Sequence, residues 1–244
     1  MITTIEELSL NAWASLQTVL YDGWVLRFAN GYTKRANSVN PIHPSSLDIE
    51  EKIRFCENHY LDRNLPVVFK LTPTVYPSDL DEKLAANGYR KESSTSVQIM
   101  DLIAAGIQVD DQLDLRESLP DEWLDAVCRM SSAAEKNQGT LRAILSNIVP
   151  RHCFVSLRYG SEIVACGMGV LQSEYVGLFD IVTDPAFRGR GYARQVVNGI
   201  LAWGKQNKAQ RAYLQVEIGN TPAQHLYTKL GFTENYQYWY RVKP

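Results

Sequence analysis

The stretch from Tyr175 to Gly204 restricts the fold more tightly than any other part of the 244-residue chain. Tyr175 to Val182 is almost wholly apolar, the pattern of a strand covered on both faces. Thr183-Asp184-Pro185 then signals a turn. Arg188-Gly189-Arg190-Gly191-Tyr192-Ala193 carries two glycines, and behind it Ala193, Val196, Val197, Ile200, Leu201 and Gly204 recur at helical spacing. A buried strand that passes through a glycine loop into a helix belongs to an α/β protein. The loop also has a chemistry. Glycines let backbone N–H groups approach a ligand with no Cβ in the way, and the helix N-terminus behind them adds partial positive charge. Phosphate or pyrophosphate suits such a site, and Arg188 and Arg190 add charge-assisted hydrogen bonds. Alone, the loop is a weak signal, because a glycine-rich turn with two solvated arginines reads the same way. A Walker loop is absent. So is G-x-G-x-x-G, because Arg194 stands where its third glycine would fall.

The flanking residues extend the pattern. Phe154 to Tyr159 and Ile163 to Leu171 read as a strand pair turning at Ser161, with Gly167 and Gly169 keeping one face slim. Ala212 to Ile218 is a further strand. Asn220-Thr221-Pro222 starts a helix, with Asn as N-cap and Pro in the first turn, and Gly231 stops it. Tyr236 to Val242 is an aromatic strand. Upstream, Asp121 to Ser131 and Thr140 to Ile148 read as helices.

The N-terminal half echoes this order. Gly23 to Ala29 and Tyr32 to Val39 read as strands, Leu47 to Leu61 as a helix, Leu65 to Thr72 as a strand, Leu80 to Asn87 as a helix and Ser94 to Leu102 as a closing strand. Pro41 and Pro185 lie 144 residues apart, and Gly88 and Gly231 lie 143 apart. Two landmarks at nearly one spacing predict an internal duplication, with halves at residues 1–104 and 112–244 and a connection over about Ile103 to Leu119. Chance agreement of element order is the alternative. The first-half counterpart of the glycine loop, Ile42 to Leu47, has neither glycine nor arginine. Only the second half therefore keeps an anion loop.

Composition narrows the function. Hydrophobic residues make up 45% of the chain and charged residues 21%, enough for a sizeable core. A formal net charge of -2 without a basic block gives no reason to expect a nucleic-acid partner. Met1 to Leu10 holds two glutamates and no basic region, and no apolar run approaches the ~18 residues of a membrane span. A cytoplasmic protein without membrane contact is the expectation. The four cysteines form no C-x-x-C pair and suit reduced, buried thiols. The four histidines show no metal-binding spacing, so no metal is expected.

Two linked motifs carry a family resemblance. R-G-R-G-Y-A, Arg188 to Ala193, fits Q/R-x-x-G-x-G/A, a signature of the GNAT acetyltransferase superfamily. N-T-P-A-Q-H-L-Y-T-K-L-G-F, Asn220 to Phe232, fits the second signature, N-x-x-A-x-x-L-Y-x-K-x-G-F. The chain thus resembles a GNAT protein over about Val155 to Val242, preceded by an eroded copy. The resemblance implies the GNAT fold, a mixed, mostly antiparallel twisted sheet flanked by helices. It implies an acetyl-CoA-dependent N-acetyltransferase that moves acetyl to a primary amine by direct attack, with acetyl-CoA as co-substrate. The acceptor would be a small-molecule or peptide amine, and the chain a monomer or homodimer.

The resemblance also assigns residues. The split between the strand ending at Thr183 and the strand Ala212 to Ile218 would hold acetyl-CoA. Backbone groups of Ile181, Val182 and Thr183 would pair with the pantetheine arm. The N–H groups of Arg188, Gly189, Arg190, Gly191, Tyr192 and Ala193 would hold the pyrophosphate. Asn220 would touch the pantetheine as well as cap its helix, and Tyr227 would protonate the departing thiolate. A core aromatic beside Leu226 and Leu230 is the rival role for Tyr227, and His225 would face solvent. Where relatives often place a glutamate base, this chain has Gln215, which cannot take a proton. Glu217, on the same strand face, and Asp180, near the split, are then the candidate bases, each acting through water. Solvated or ion-paired carboxylates, with a water chain as proton path, are the alternative. Acceptor specificity would come from Glu135, Asn137 and Gln138 and from the stretch Tyr21 to Asn40, with Trp24, Arg27, Phe28, Asn30, Tyr32, Lys34, Arg35, Asn37 and Asn40. That stretch reads equally as a half-exposed hairpin. No cysteine falls in the split, which argues against a covalent enzyme intermediate. A non-catalytic acyl-CoA sensor or scaffold is the other reading of the whole chain.

Overall fold

The computed structural model describes residues 1–107 and 112–244. Helix α1 (Ile2–Ala12) buries Ile5, Leu8 and Ala12 along one stripe. Strands β1 (Gln17–Tyr21) and β2 (Trp24–Phe28) form a hairpin. Its Asp22-Gly23 turn takes positive φ at both positions, the twist-matched geometry for two-residue hairpins. Then come β3 (Val39–Pro41), α2 (Ile49–Leu61), β4 (Val67–Leu71), α3 (Leu80–Ala86) and β5 (Arg90–Asp101). The Asp48 side chain caps α2 by accepting from the N–H groups of Glu50 and Glu51.

The second stretch contains β6 (Leu113–Arg116), α4 (Asp121–Met130), α5 (Ser132–Lys136), α6 (Gln138–Ser146) and β7 (Arg151–Tyr159). It continues with β8 (Glu162–Gln172), β9 (Tyr175–Thr183), α7 (Tyr192–Gln206), β10 (Arg211–Glu217), α8 (Thr221–Leu230) and β11 (Thr233–Lys243).

The eleven strands among the described residues join one sheet in the order β1-β2-β3-β4-β11-β5-β10-β9-β8-β7-β6. The β3–β4 and β9–β10 pairs are parallel and the remaining pairs antiparallel. The sheet is thus mixed and mostly antiparallel, as the resemblance implied. The final strands of the two stretches interleave: β5 lies between β10 and β11, and β11 lies between β5 and β4. On one face, Val176, Leu178, Leu214 and Val216 pack beneath Val196, Val197 and Ile200 of α7. A Cβ on Gly167 would come within 2.6 Å of Ile181 and Val196, so glycine sets how closely α7 approaches β8. On the other face, Phe154, Met168, Phe179 and Tyr213 share a core with α1 and α4.

The structure departs from the sequence expectation in several places. Tyr32 to Val39 is not a strand: it contains a short 3-10 turn at Lys34–Ala36, and β3 begins only at Val39. The cause is Asn37. Its carboxamide accepts from the N–H groups of Ala29 and Gly31 and donates to the carbonyls of Ala29, Tyr32 and Thr33. A side chain that satisfies this much backbone competes with a ladder. The expected connection Ile103 to Leu119 contains β6, which pairs with β7, and its residues 108–111 lie outside the described residues. No helix among the described residues is long and apolar enough to cross a membrane. All four cysteines are free and buried.

Candidate active site

Strands β9 and β10 pair in register only from Tyr175–Arg211 to Leu178–Leu214. Beyond that point they carry no ladder bonds to one another and splay apart. A bulge marks the same place: the β8–β9 register shifts between Cys166 and Met168, and Asp180 opposite takes φ +48°. Bulges re-aim side chains. Here the bulge turns Asp180 towards Tyr32 and Arg35 of the N-terminal stretch.

A cavity of about 550 Å³ opens at the splay. Ile181, Val182 and Thr183 form one wall, Arg188, Gly189, Gly191, Tyr192 and Ala193 one end, and Asn220 and Tyr227 the far side. Ten of the residues assigned from sequence, spread over 47 positions, therefore converge on one space. Gly189 and Gly191 take φ +77° and +83°, the left-handed region that favours glycine. Gly191 is the N-cap of α7 and no side chain caps that helix, so its first-turn N–H groups are free to meet an anion. Helix α8 differs, because the Asn220 side chain accepts from the Ala223 N–H. Nε of Arg188 donates to the Thr183 carbonyl at 3.3 Å. The Arg190 side chain turns away, its guanidinium 5.1 Å from the Phe187 ring centroid. Arg194 also lines the cavity, a residue not assigned from sequence although it falls in the first turn behind the glycine loop.

Tyr227 is buried on α8, and its hydroxyl makes no hydrogen bond among the described residues. Burial pushes its phenol up to about 12, so it stays protonated and able to donate. The Oγ1 of Thr183 is enclosed without a partner. His225 is exposed.

Gln215 and Glu217 alternate with Leu214 and Val216, which pack under α7, so they face the other side of the sheet. There they line a second pocket of about 350 Å³ with Thr33, Lys34 and Arg35, with Ser93 and Thr95 of β5, and with Tyr238 and Tyr240 of β11. Gln215 is held in place: its Nε2 donates to Ser9 Oγ at 2.7 Å, and Tyr238 OH donates to its Oε1 at 3.0 Å. The three catalytic candidates are thus divided. Tyr227 lines the cleft cavity, Glu217 lines the pocket across the sheet, and Asp180 sits on the bulge facing Arg35, which lines that second pocket. Asp180 is half-buried with Oδ2 enclosed and unpartnered. Burial pushes its carboxyl up to about 6, with Arg35 opposing the rise.

Of the residues expected to recognise an acceptor, Trp24, Arg27, Phe28, Tyr32, Asn37 and Asn40 are buried in the core. Lys34 and Arg35 reach the second pocket, and Asn30 bonds Thr140 at the surface. Asn137 and Gln138 bond to Ala133 and Asp125, and neither they nor Glu135 line the two pockets. Among the described residues no cluster of histidine, cysteine or carboxylate could hold a metal.

A mixed sheet split between two parallel strands, with a glycine loop feeding the helix beyond the split, is the arrangement of the GNAT fold. A family model described as "Probable histone acetyltransferase Rv0428c C-terminal" matches residues 1–241, and the chain belongs to that family. It is similar to YobR of Bacillus subtilis (strain 168), described as an uncharacterized N-acetyltransferase: 29% identity over 248 residues, 99% of this chain and 98% of that protein. Among solved structures, a GCN5-related N-acetyltransferase from Kribbella flavida superposes with TM-score 0.74 at 13% identity, covering 99% of this chain and 95% of the other. A tandem GNAT protein from the clavulanic acid biosynthesis pathway gives TM-score 0.67 at 13% identity over 98% and 87%. At such identities the likeness is one of fold.

Proposed function

We propose that the chain transfers an acetyl group from acetyl-CoA to a primary amine by direct attack, without a covalent enzyme intermediate. The cavity at the β9–β10 splay carries this reading. It has an uncapped helix N-terminus at one end and a protonated phenol on its wall, and Asp180, whose Oδ2 is unpartnered, directly precedes Ile181 of its wall on β9. The residues fit acetyl-CoA, which supplies an activated thioester. The loop from Arg188 to Ala193, with Arg194, holds the pyrophosphate through backbone N–H groups and cationic side chains. Ile181 to Thr183 offer an open strand edge to the pantetheine amides, and Asn220 lies beside them.

Asp180 takes one proton, through water, from the acceptor ammonium, leaving a neutral amine beside the thioester. The nitrogen lone pair forms the new C–N bond as the C–S bond breaks, and Tyr227 gives its proton to the leaving sulfur. The nitrogen then loses its remaining extra proton, which restores Tyr227 through solvent. One proton is released per acetyl transferred. We read residues 1–104 and 112–244 as two copies of one module, a reading supported by the reciprocal insertion of β5 and β11. The free, buried cysteines suit a reducing compartment such as the cytoplasm.

Calorimetric titration with acetyl-CoA tests the site. The intact chain should bind about one equivalent per chain, and an Arg188→Glu/Gly191→Asp variant should bind none. Two equivalents would place a second site in the N-terminal stretch. No binding by the intact chain would sink the proposal.

A further inference from the structure

The pocket across the sheet from the acetyl-CoA cavity has a charge arrangement that selects among amines. Its floor is three adjacent strands carrying Glu217, Thr95, Tyr238 and Tyr240, and its roof is the turn bearing Lys34 and Arg35. At about 350 Å³ it suits a compact molecule. Lys34 is already engaged: its Nζ lies 2.5 Å from Glu92 and 3.3 Å from Ser93 Oγ. Arg35 is not. Its guanidinium stacks 5.0 Å from the Trp13 ring centroid and makes no hydrogen bond among the described residues. Arg35 and Asp180 interact electrostatically, and Asp180 Oδ2 is without a hydrogen-bond partner. Tyr240 lines the same pocket, and its hydroxyl is enclosed beneath the surface without a hydrogen-bond partner. The planar donor fork of Arg35, with no hydrogen-bond acceptor on it, matches a carboxylate.

The turn that carries Arg35 is built to stay put. Trp13 Nε1 donates to Thr33 Oγ1 at 2.9 Å, Arg27 Nη1 donates to the Arg35 carbonyl at 2.7 Å, and Asn37 clamps the residues before it. Thr33 takes φ +58°, an unfavourable region for a β-branched residue, which persists only where the surroundings over-determine it. Such a frame is what a positioned recognition group needs.

We propose that the acceptor carries a carboxylate a few bonds from its nucleophilic nitrogen, and that Arg35 seats that carboxylate while the nitrogen lies towards Asp180. The proposal rests on the acetyltransferase reading above and narrows its substrate to amino-acid-like amines. A diamine or polyamine fits badly, because the pocket offers it Glu217 beside two cations. A plain alkylamine would leave Arg35 unfilled.

The test is thiol release from acetyl-CoA at pH 8, where Asp180 is ionised. The panel is the twenty α-amino acids, β-alanine and γ-aminobutyrate, their carboxamides, and putrescine and spermidine. At least one acid should be acetylated with kcat/KM tenfold or more above its own amide. An amide's less basic amine reacts more readily on chemistry alone, so preference for the acid must come from the pocket. Arg35→Met should raise KM for that acid at least tenfold, raise that of the amide by a far smaller factor and still bind acetyl-CoA, and Arg35→Lys should recover part of the loss. Equal rates for acid and amide in the intact protein, turnover of the polyamines alone, or acetyl-CoA binding with no carboxylate-bearing amine acetylated would each overturn the proposal. Loss of acetyl-CoA binding by the intact protein would overturn the acetyltransferase reading instead.

Discussion

Asp180 meets two opposed demands. As a proton acceptor it must be ionised, yet burial favours its neutral form and holds its carboxyl at about 6 rather than 3.8. The sign follows from linkage. The folded state binds this proton more tightly than the unfolded state, so the contribution of Asp180 to stability is fully present below pH 3.8 and is lost as pH rises through about 6. Asp180→Asn removes that penalty. Denaturant melts should show the variant more stable than the parent above pH 6, by on the order of 1–2 kcal/mol, with the curves converging in acid. Turnover should respond the other way. Arg35, Tyr32 and Cys166 are titratable groups that interact electrostatically with Asp180, and kcat/KM of the parent should rise with pH through about 6. That limb should vanish in the variant, and a limb that survives would remove Asp180 as base. Tyr227 sets a parallel test on the acid side. Tyr227→Phe should lower kcat roughly 10- to 100-fold with unchanged acetyl-CoA affinity. An unchanged kcat would leave Tyr227 as a packing residue against Phe232.

Among the elements, those built from short-range spacing were legible in the sequence. The run from β9 through the loop to α7 declared itself because its apolar period, turn residues and glycines are all local. The same holds for α8, whose Asn220 cap and Gly231 stop bracket it. The second pocket was not legible, because its walls come from residues 33–35, 93–95, 215–217 and 238–240, brought together only by strand order. Arg35 has no local mark in the sequence that separates it from Arg27. The two differ because Arg27 spends its donors on the carbonyls of Leu10, Trp13 and Arg35. Helix α1 was equally silent. Its attachment depends on Glu6, which is buried, lies 2.6 Å from Lys70 Nζ on β4 and accepts from Tyr236 OH on β11. Breaking a buried ion pair from one side leaves a charge uncompensated. Lys70→Met should therefore cost about 3–5 kcal/mol in a urea melt, and Glu6→Gln/Lys70→Met should regain much of it. A loss below about 1 kcal/mol would mean that water reaches Glu6.

For the whole molecule, strand order decides what can be removed. Residues 1–104 alone would leave β5 without both neighbours, and residues 112–244 alone would leave β11 without both of its own. Each segment produced separately should lack a cooperative thermal transition, and mixing the two should restore one. Cooperative melting of either segment alone would show that its closing strand finds another partner. The same interleaving bears on how the chain is made. Strand β5 leaves the ribosome well before β10 and β11, which flank it. Until Lys243 emerges, the middle of the sheet stays open and its central strand exposed. A nascent chain of this protein cannot settle one half while the other is still being synthesised. A stop placed before β11 would yield an unclosed sheet rather than a shortened enzyme.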